Sequence, residues 1–328
     1  MPEWNRSGPA CQGDFRRRRG RDALTHDRAE GRLDRAGLLY LGIVYVVWGS
    51  TYLAIRLAVR PGAGFPPFTL GALRVLVAAA ILFAAAALTR QRLWPRKAEL
   101  PVLIGGGLLL WPLANGLVVL GETRADSGFA ALLVGSMPIW VAIMEAHLDR
   151  RLPTVRFMGA LLIGFAGVAL LAWPVLRSGA RADVLAVVAL LAAPITWGAG
   201  SLWQRRRPVA LAPLASAAWQ QFFGGLGFIV AVLVLREPRP APTPAAWGAW
   251  AYLTLFGSVI AFTSYVQTLR RLPMRIVSTY AYVNPVVAVG LGWVVLREQV
   301  TGWTLAGASL VLLGVAGVFH ERGRGRRV

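Results

Sequence analysis

One arginine, one glutamate and a few amides stand inside stretches that otherwise lack polar side chains, and they bound the chemistry open to this chain. Arg74 is the seventh residue of an apolar run over residues 68–88, about 9 Å in by helical rise. A guanidinium at that depth is costly and normally faces a cavity or a partner, and its planar fork suits a carboxylate or phosphate. The sequence leaves two readings: an anchor for an anionic group on a bound solute, or a structural residue that snorkels or pairs, with Glu122 as the nearby carboxylate. Arg56, close to the end of its run, reads as a snorkelling residue. Glu145, two residues before His147, is the one carboxylate well inside a run, so it is the candidate for proton coupling; solvation near the run's end would leave it without that duty.

Asn115, Asn284, Gln220, Gln221, Thr263, Ser264, Tyr265 and Gln267 are the other polar groups inside runs. Interhelical hydrogen bonding accounts for many such residues; Asn115, Asn284 and Gln221 are the candidates among them to line a cavity. Asn284 precedes Pro285, and a proline cannot bond the carbonyl four residues earlier. Pro285 and Pro138 are therefore expected to kink their helices, freeing the carbonyls of Ala281 and Val134 for a solute or a hinge. Trp48, Trp197, Tyr45 and Tyr280 are candidate aromatic walls, with ordinary packing as the alternative. No hydrolytic constellation is legible: Asp149 and Asp183 sit at run ends, GxSxG and HExxH are missing, and His26, His147 and His320 lack ligand spacing. Cys11 is the only cysteine, so no intramolecular disulfide is available. Neither an enzyme, a metal site nor a cofactor is expected.

The elements that must hold these residues follow from composition. Of 328 residues 56% are apolar and 15% charged, against about 25% charged in soluble domains. Ten apolar runs recur, at about 37–58, 68–88, 101–121, 128–148, 157–176, 182–203, 212–235, 246–269, 276–296 and 301–320, each near the roughly 20 residues that span a bilayer. The expected fold is an all-α integral membrane protein with ten transmembrane helices. An Arg-rich tail over 1–36 has the composition of a disordered segment, and a short basic tail over 321–328 closes the chain. A net charge of +20 suggests nucleic acid until the charges are located: 26 of 35 basic residues fall in the tails and alternate connections, seven in the others. That asymmetry places both termini in the cytoplasm, and it points to anionic lipid rather than nucleic acid as the partner.

A repeat runs through the chain. At an offset of 147, Pro138 overlies Pro285, Arg150 overlies Arg297 and Gly167-Val168 overlies Gly314-Val315; at 149, WGSTYLAIR from Trp48 overlies WGAGSLWQR from Trp197. Two halves are expected, 37–176 and 182–320. Five spans per half is an odd number, so the halves enter the membrane from opposite sides. Inverted repeats around a midplane site are the architecture of many secondary transporters, and a channel seldom needs that arrangement. A small-molecule substrate, with exchange against a proton or a second solute, is the expected traffic, through a monomer or homodimer.

The ten runs, Trp48-Gly49 and Trp197-Gly198, Arg74, Pro138, Pro285 and the closing LREQVTGWTLAGASLVLLGVAGV from Leu296 to Val318 resemble the EamA-type permeases of the drug/metabolite transporter superfamily. The resemblance spans about 38–319. Glu298 fits the pattern in the second half, whereas HLDRRLP from His147 to Pro153 departs from it in the first. The resemblance implies an inner-membrane carrier, often an exporter, of amino acids or related compounds. Drug efflux is the alternative it leaves, with a channel or lipid-headgroup translocator further off. The first run lacks the carboxylate of small multidrug transporters, which argues against a lipophilic-cation pump.

Overall fold

The computed structural model describes residues 34–124, 130, 133–177, 184–296 and 301–324; the Arg-rich tail up to residue 33, Arg297 and Glu298 lie outside them. Every regular element among the described residues is helical: α1 (Arg35–Val59), α2 (Pro67–Leu88), α3 (Lys97–Glu122), α4 (Met137–Asp149), α5 (Val155–Arg177), α6 (Val184–Arg206), α7 (Pro213–Leu235), α8 (Pro244–Arg271), α9 (Tyr280–Leu296) and α10 (Gly302–Arg324). A short helix, Met274–Val277, precedes α9. Seven of them (α1, α2, α3, α6, α7, α8 and α10) are long and apolar enough to cross a bilayer, and the chain is an integral membrane protein.

Helix starts follow the local sequence. Asp34 caps α1 by accepting from the Ala36 N–H at 2.9 Å, and Thr243 caps α8 from Ala246 at 3.3 Å. Prolines open α2, α7 and α8, at a position whose N–H would lack a helical partner anyway. At α2 the orphan donors are met from across the bundle: Glu237, just past α7, accepts from the backbone of Phe68 at 2.8 Å and Thr69 at 2.7 Å. Three helix ends carry an arginine rather than glycine in the left-handed region, Arg90, Arg150 and Arg236; each places a cation where a helix dipole is negative.

The helices form one bundle. α2 packs along α7 and α5 along α10; α1 lies against α8 and α9, and α6 against α3 and α4. The end of the bundle where α1 begins is tied by polar contacts: Arg271 to Asp34 at 2.8 Å, Arg92 to Glu99 at 2.8 Å, the Ala210 N–H to Glu99 at 2.7 Å, and Thr154 to Glu321 at 2.8 Å. The hydrogen bond from Arg271 holds the Asp34 carboxyl below its ordinary range.

Four departures from regular helix were not foreseen. The third run contains a π-helical stretch, Trp111–Asn115, and the eighth contains another, Leu253–Ala261; such stretches expose carbonyls and gather at functional sites. The ninth run is not continuous, because a turn at 278–279 separates α9 from its lead-in. There the hydroxyl of Thr279 donates to the Ile276 carbonyl at 2.6 Å, a local bond that competes with helix. The same device precedes α4, where Ser136 donates to the Leu133 carbonyl at 2.5 Å. Pro138 consequently lies in the first turn of α4, so the mid-helix kink expected of it gives way to a helix start. Pro285 does lie inside α9.

Candidate substrate cavity

The halves meet around an aromatic cluster at the middle of the bundle. Trp48 of α1 packs against Trp197 of α6, Tyr265 of α8 and Tyr280 of α9, with ring centroids 5.2, 5.0 and 5.1 Å away. The cluster is pinned by polar bonds: the Trp48 indole N–H donates to the Gly257 carbonyl at 3.1 Å, and that of Trp197 to the Tyr265 hydroxyl at 3.0 Å. Gly257 belongs to the π-helical stretch of α8, which turns its carbonyl toward a side chain.

Two cavities flank the cluster. The first holds about 640 Å³ of empty space, mouth included. Of the residues singled out from sequence, Arg74, Trp48, Trp197, Asn115, Asn284 and Tyr280 line it together. Tyr45 and Gln221 stand behind. The Tyr45 hydroxyl bonds that of Thr279 at 2.6 Å, and the Gln221 amide donates to the Ser258 carbonyl at 3.0 Å. Glu145 is remote from this cavity and lines the second one, with Arg205, Arg206 and Gln220.

Arg74 is 3% exposed, and no carboxylate lies within ion-pair distance of it among the described residues. Its Nε donates to the Ser258 hydroxyl at 2.7 Å, and its guanidinium carbon lies 5.4 Å from the Trp111 ring centroid. Ser258 is held in turn by Gln221, so α2, α7 and the π-helical stretch of α8 jointly aim the guanidinium. Arg74 itself lines the cavity, and Nε is the nitrogen of its guanidinium that is hydrogen-bonded among the described residues. The alternative pairing with Glu122 is not formed: Glu122 is buried, its two carboxylate oxygens lack a hydrogen-bond partner, and the charge in electrostatic reach is Arg56. Asn115 Oδ1 is a second buried acceptor without a partner among the described residues. Asn284, with its amide turned to satisfy both groups, donates to the carbonyls of Tyr280 at 3.0 Å and Tyr45 at 3.3 Å.

The wall also contains residues that sequence reasoning passed over: Thr51, Tyr52, Trp111, Met137 and Pro194. Two carried a signal. Pro194 is a proline inside α6, and Trp111-Pro112 interrupts the third run just where the π-helical stretch forms. A cation, an orphaned amide oxygen and aromatic faces in one partly enclosed space can hold a small solute that carries a carboxylate.

The EamA-like transporter family matches twice, over residues 35–173 and 184–320. An Escherichia coli K12 protein named uncharacterized inner membrane transporter YedA is 31% identical over 276 residues, covering 83% of this chain and 85% of its own. The Bacillus subtilis protein named uncharacterized transporter YoaV is 24% identical over 84% of this chain and 94% of its own. A Streptantibioticus cattleyicolor protein named probable terminal-alkyne amino-acid exporter is 28% identical over 88% of this chain and 94% of its own. A solved crystal structure shares the fold with a TM-score of 0.72 at 22% identity, covering 90% of this chain and all of that one. The chain belongs to the EamA-like transporter family of membrane transporters.

Proposed function

We propose that the chain is a secondary active transporter that exports a small carboxylate-bearing metabolite, an amino acid or a related compound, across the inner membrane. The observation that carries this reading is Arg74: a buried guanidinium without a carboxylate partner, aimed into a cavity with aromatic walls. A bound carboxylate would accept from its free nitrogens, with the ammonium group against Asn115 Oδ1 and the indole faces. Export is supported by the name of the Streptantibioticus relative alone.

In this reading α4, α5 and α9 also cross, giving ten spans with both termini in the cytoplasm and two inverted halves. Several features support the repeat. Exchanging α1–α5 for α6–α10 maps the principal packing pairs onto one another. A π-helical stretch interrupts the third helix of each half, and a hydroxyl-closed turn precedes the fourth. Two halves that can swap conformations would open the central site to either side in turn. Counter-transport of a proton or a second solute supplies the driving force, with Glu145 as the proposed coupling carboxylate.

Counterflow in proteoliposomes tests the class. Vesicles preloaded with an unlabelled candidate amino acid should accumulate the labelled one transiently above equilibrium. Label that only equilibrates, however the vesicles are preloaded, would indicate a channel and overturn the carrier reading.

A further inference from the structure

The second cavity lies at the end of the bundle where α1 begins, beyond the aromatic cluster. It holds about 1080 Å³ of empty space, mouth included. Its wall comes from both halves: Glu145 and Asp149 from α4, Gln204 and the arginines 205–207 at the end of α6, Gln220 from α7 and Arg270 from α8. Along α6 the wall of the first cavity reaches Trp197 and that of the second begins at Leu202, about 7.5 Å of helical rise further on, and the two linings share no residue.

Its polar groups are unevenly committed. Arg206 is paired with Asp149, Arg205 donates to the Leu269 carbonyl at 2.8 Å and Arg270 to the Leu211 carbonyl at 2.8 Å. Arg205 and Arg270 thereby face carbonyls rather than carboxylates, and Arg207 is exposed at the rim. On the acceptor side, the half-buried carboxylate of Glu145 makes neither a hydrogen bond nor an ion pair among the described residues, although Arg205, Arg206 and Arg275 lie in electrostatic reach. Gln220 is 1% exposed; its amide nitrogen donates to Ser216 at 3.2 Å and its Oε1 has no partner among the described residues. The Gln204 amide nitrogen is likewise buried without an acceptor. A buried acceptor without a donor is costly unless a ligand supplies one.

We propose that this cavity is a second solute site, a loading site for zwitterions in which an ammonium group meets Glu145 and Gln220 Oε1 while a carboxylate meets the arginines at the rim. A phosphate or simple carboxylate would set an anion against Glu145, and a simple amine would meet four guanidiniums, so only a solute with both charges suits the whole wall. The inference rests on the transporter reading and deepens it by naming the charge pattern of the substrate. It also gives the two ends of the path different partners for the ammonium group: a carboxylate here, an amide and aromatic faces at Arg74.

Equilibrium binding to the purified full chain tests it, with radiolabelled L-threonine, L-leucine and L-phenylalanine as probes. The Arg74→Ala protein should still bind at least one of them, at one site per chain. Adding Glu145→Gln or Gln220→Leu should weaken that binding tenfold or more, and Arg207→Gln, an exposed change with little consequence for folding, several-fold. Competition should come from amino acids and not from the matching amines or carboxylic acids. Loss of all three probes on Arg74→Ala alone, unchanged affinity in the cavity variants, or equal competition by singly charged analogues would overturn the second site. Failure of counterflow in the unmodified protein is a separate outcome that would instead remove the transporter reading.

Discussion

Arg74 on α2 donates its Nε to the hydroxyl of Ser258 on α8 at 2.7 Å, a bond between residues 184 apart in the chain. The bond ties the cationic residue of the first half to the π-helical stretch of the second. Ser258→Ala removes one tether of the guanidinium and strands its buried Nε–H. A hydrogen bond from a charged group contributes about 1.5 to 3 kcal/mol, so the melting temperature should fall by a few degrees, and half-saturation for transport should rise because the guanidinium is less firmly aimed. An unchanged half-saturation would mean that packing against Trp111 suffices to aim the guanidinium.

Tyr265 receives the Trp197 indole N–H at 3.0 Å and also bonds the Ser201 hydroxyl. The ring is fully buried, so Tyr265→Phe strands a buried donor at about 1 to 3 kcal/mol. A lowered melting temperature in detergent is expected, and an unaltered one would show that the two groups re-pair.

The Trp-Gly dipeptides of the two halves are not equivalent in tolerance. A Cβ on Gly49 would lie 2.6 Å from Val287 Cβ and 3.1 Å from the Asn284 carbonyl oxygen, whereas on Gly198 it would meet the mobile Cε of Met144 at 2.7 Å. Overpacking against a branched side chain and backbone costs about 1 to 3 kcal/mol. Gly49→Ala should therefore lower the melting temperature and transport, and Gly198→Ala should do so far less. Equal effects would contradict the assigned packing of α1 on α9.

Topology is open to cysteine labelling in a Cys11→Ser background. Arg151→Cys, beside α4, and Arg239→Cys, between α7 and α8, are both at exposed positions. With the termini in the cytoplasm, an impermeant maleimide should reach Arg239→Cys in intact cells and Arg151→Cys only after lysis. The reverse pattern would invert the assignment.

Much of this architecture was legible in the residues because lipid imposes a simple rule: apolar runs of fixed length, punctuated by arginine. Six of the eight residues expected to touch solute do line one cavity, since an amide or a charge inside an apolar run has few other places to go. The exceptions share a cause. Gln221 and Tyr45 are satisfied by groups on other helices, Ser258 and Thr279, and run-by-run reading cannot see that pairing. The turns before α4 and α9 depend on single hydroxyls in a helical background, and the π-helical stretches have no composition of their own. Trp111 had its signal in the Pro112 beside it, but its contact with the guanidinium of Arg74 depends on α2 and could not be read from its own run.

The central claim is that Arg74 holds the carboxylate of the substrate, and transport by Arg74 variants tests it most directly. In proteoliposomes matched for inserted protein, Arg74→Ala should lose counterflow of the amino acid that the unmodified protein exchanges, and Arg74→Lys should retain a minor fraction, because lysine keeps the charge without the fork. Counterflow by Arg74→Ala at the original rate and half-saturation would contradict the account.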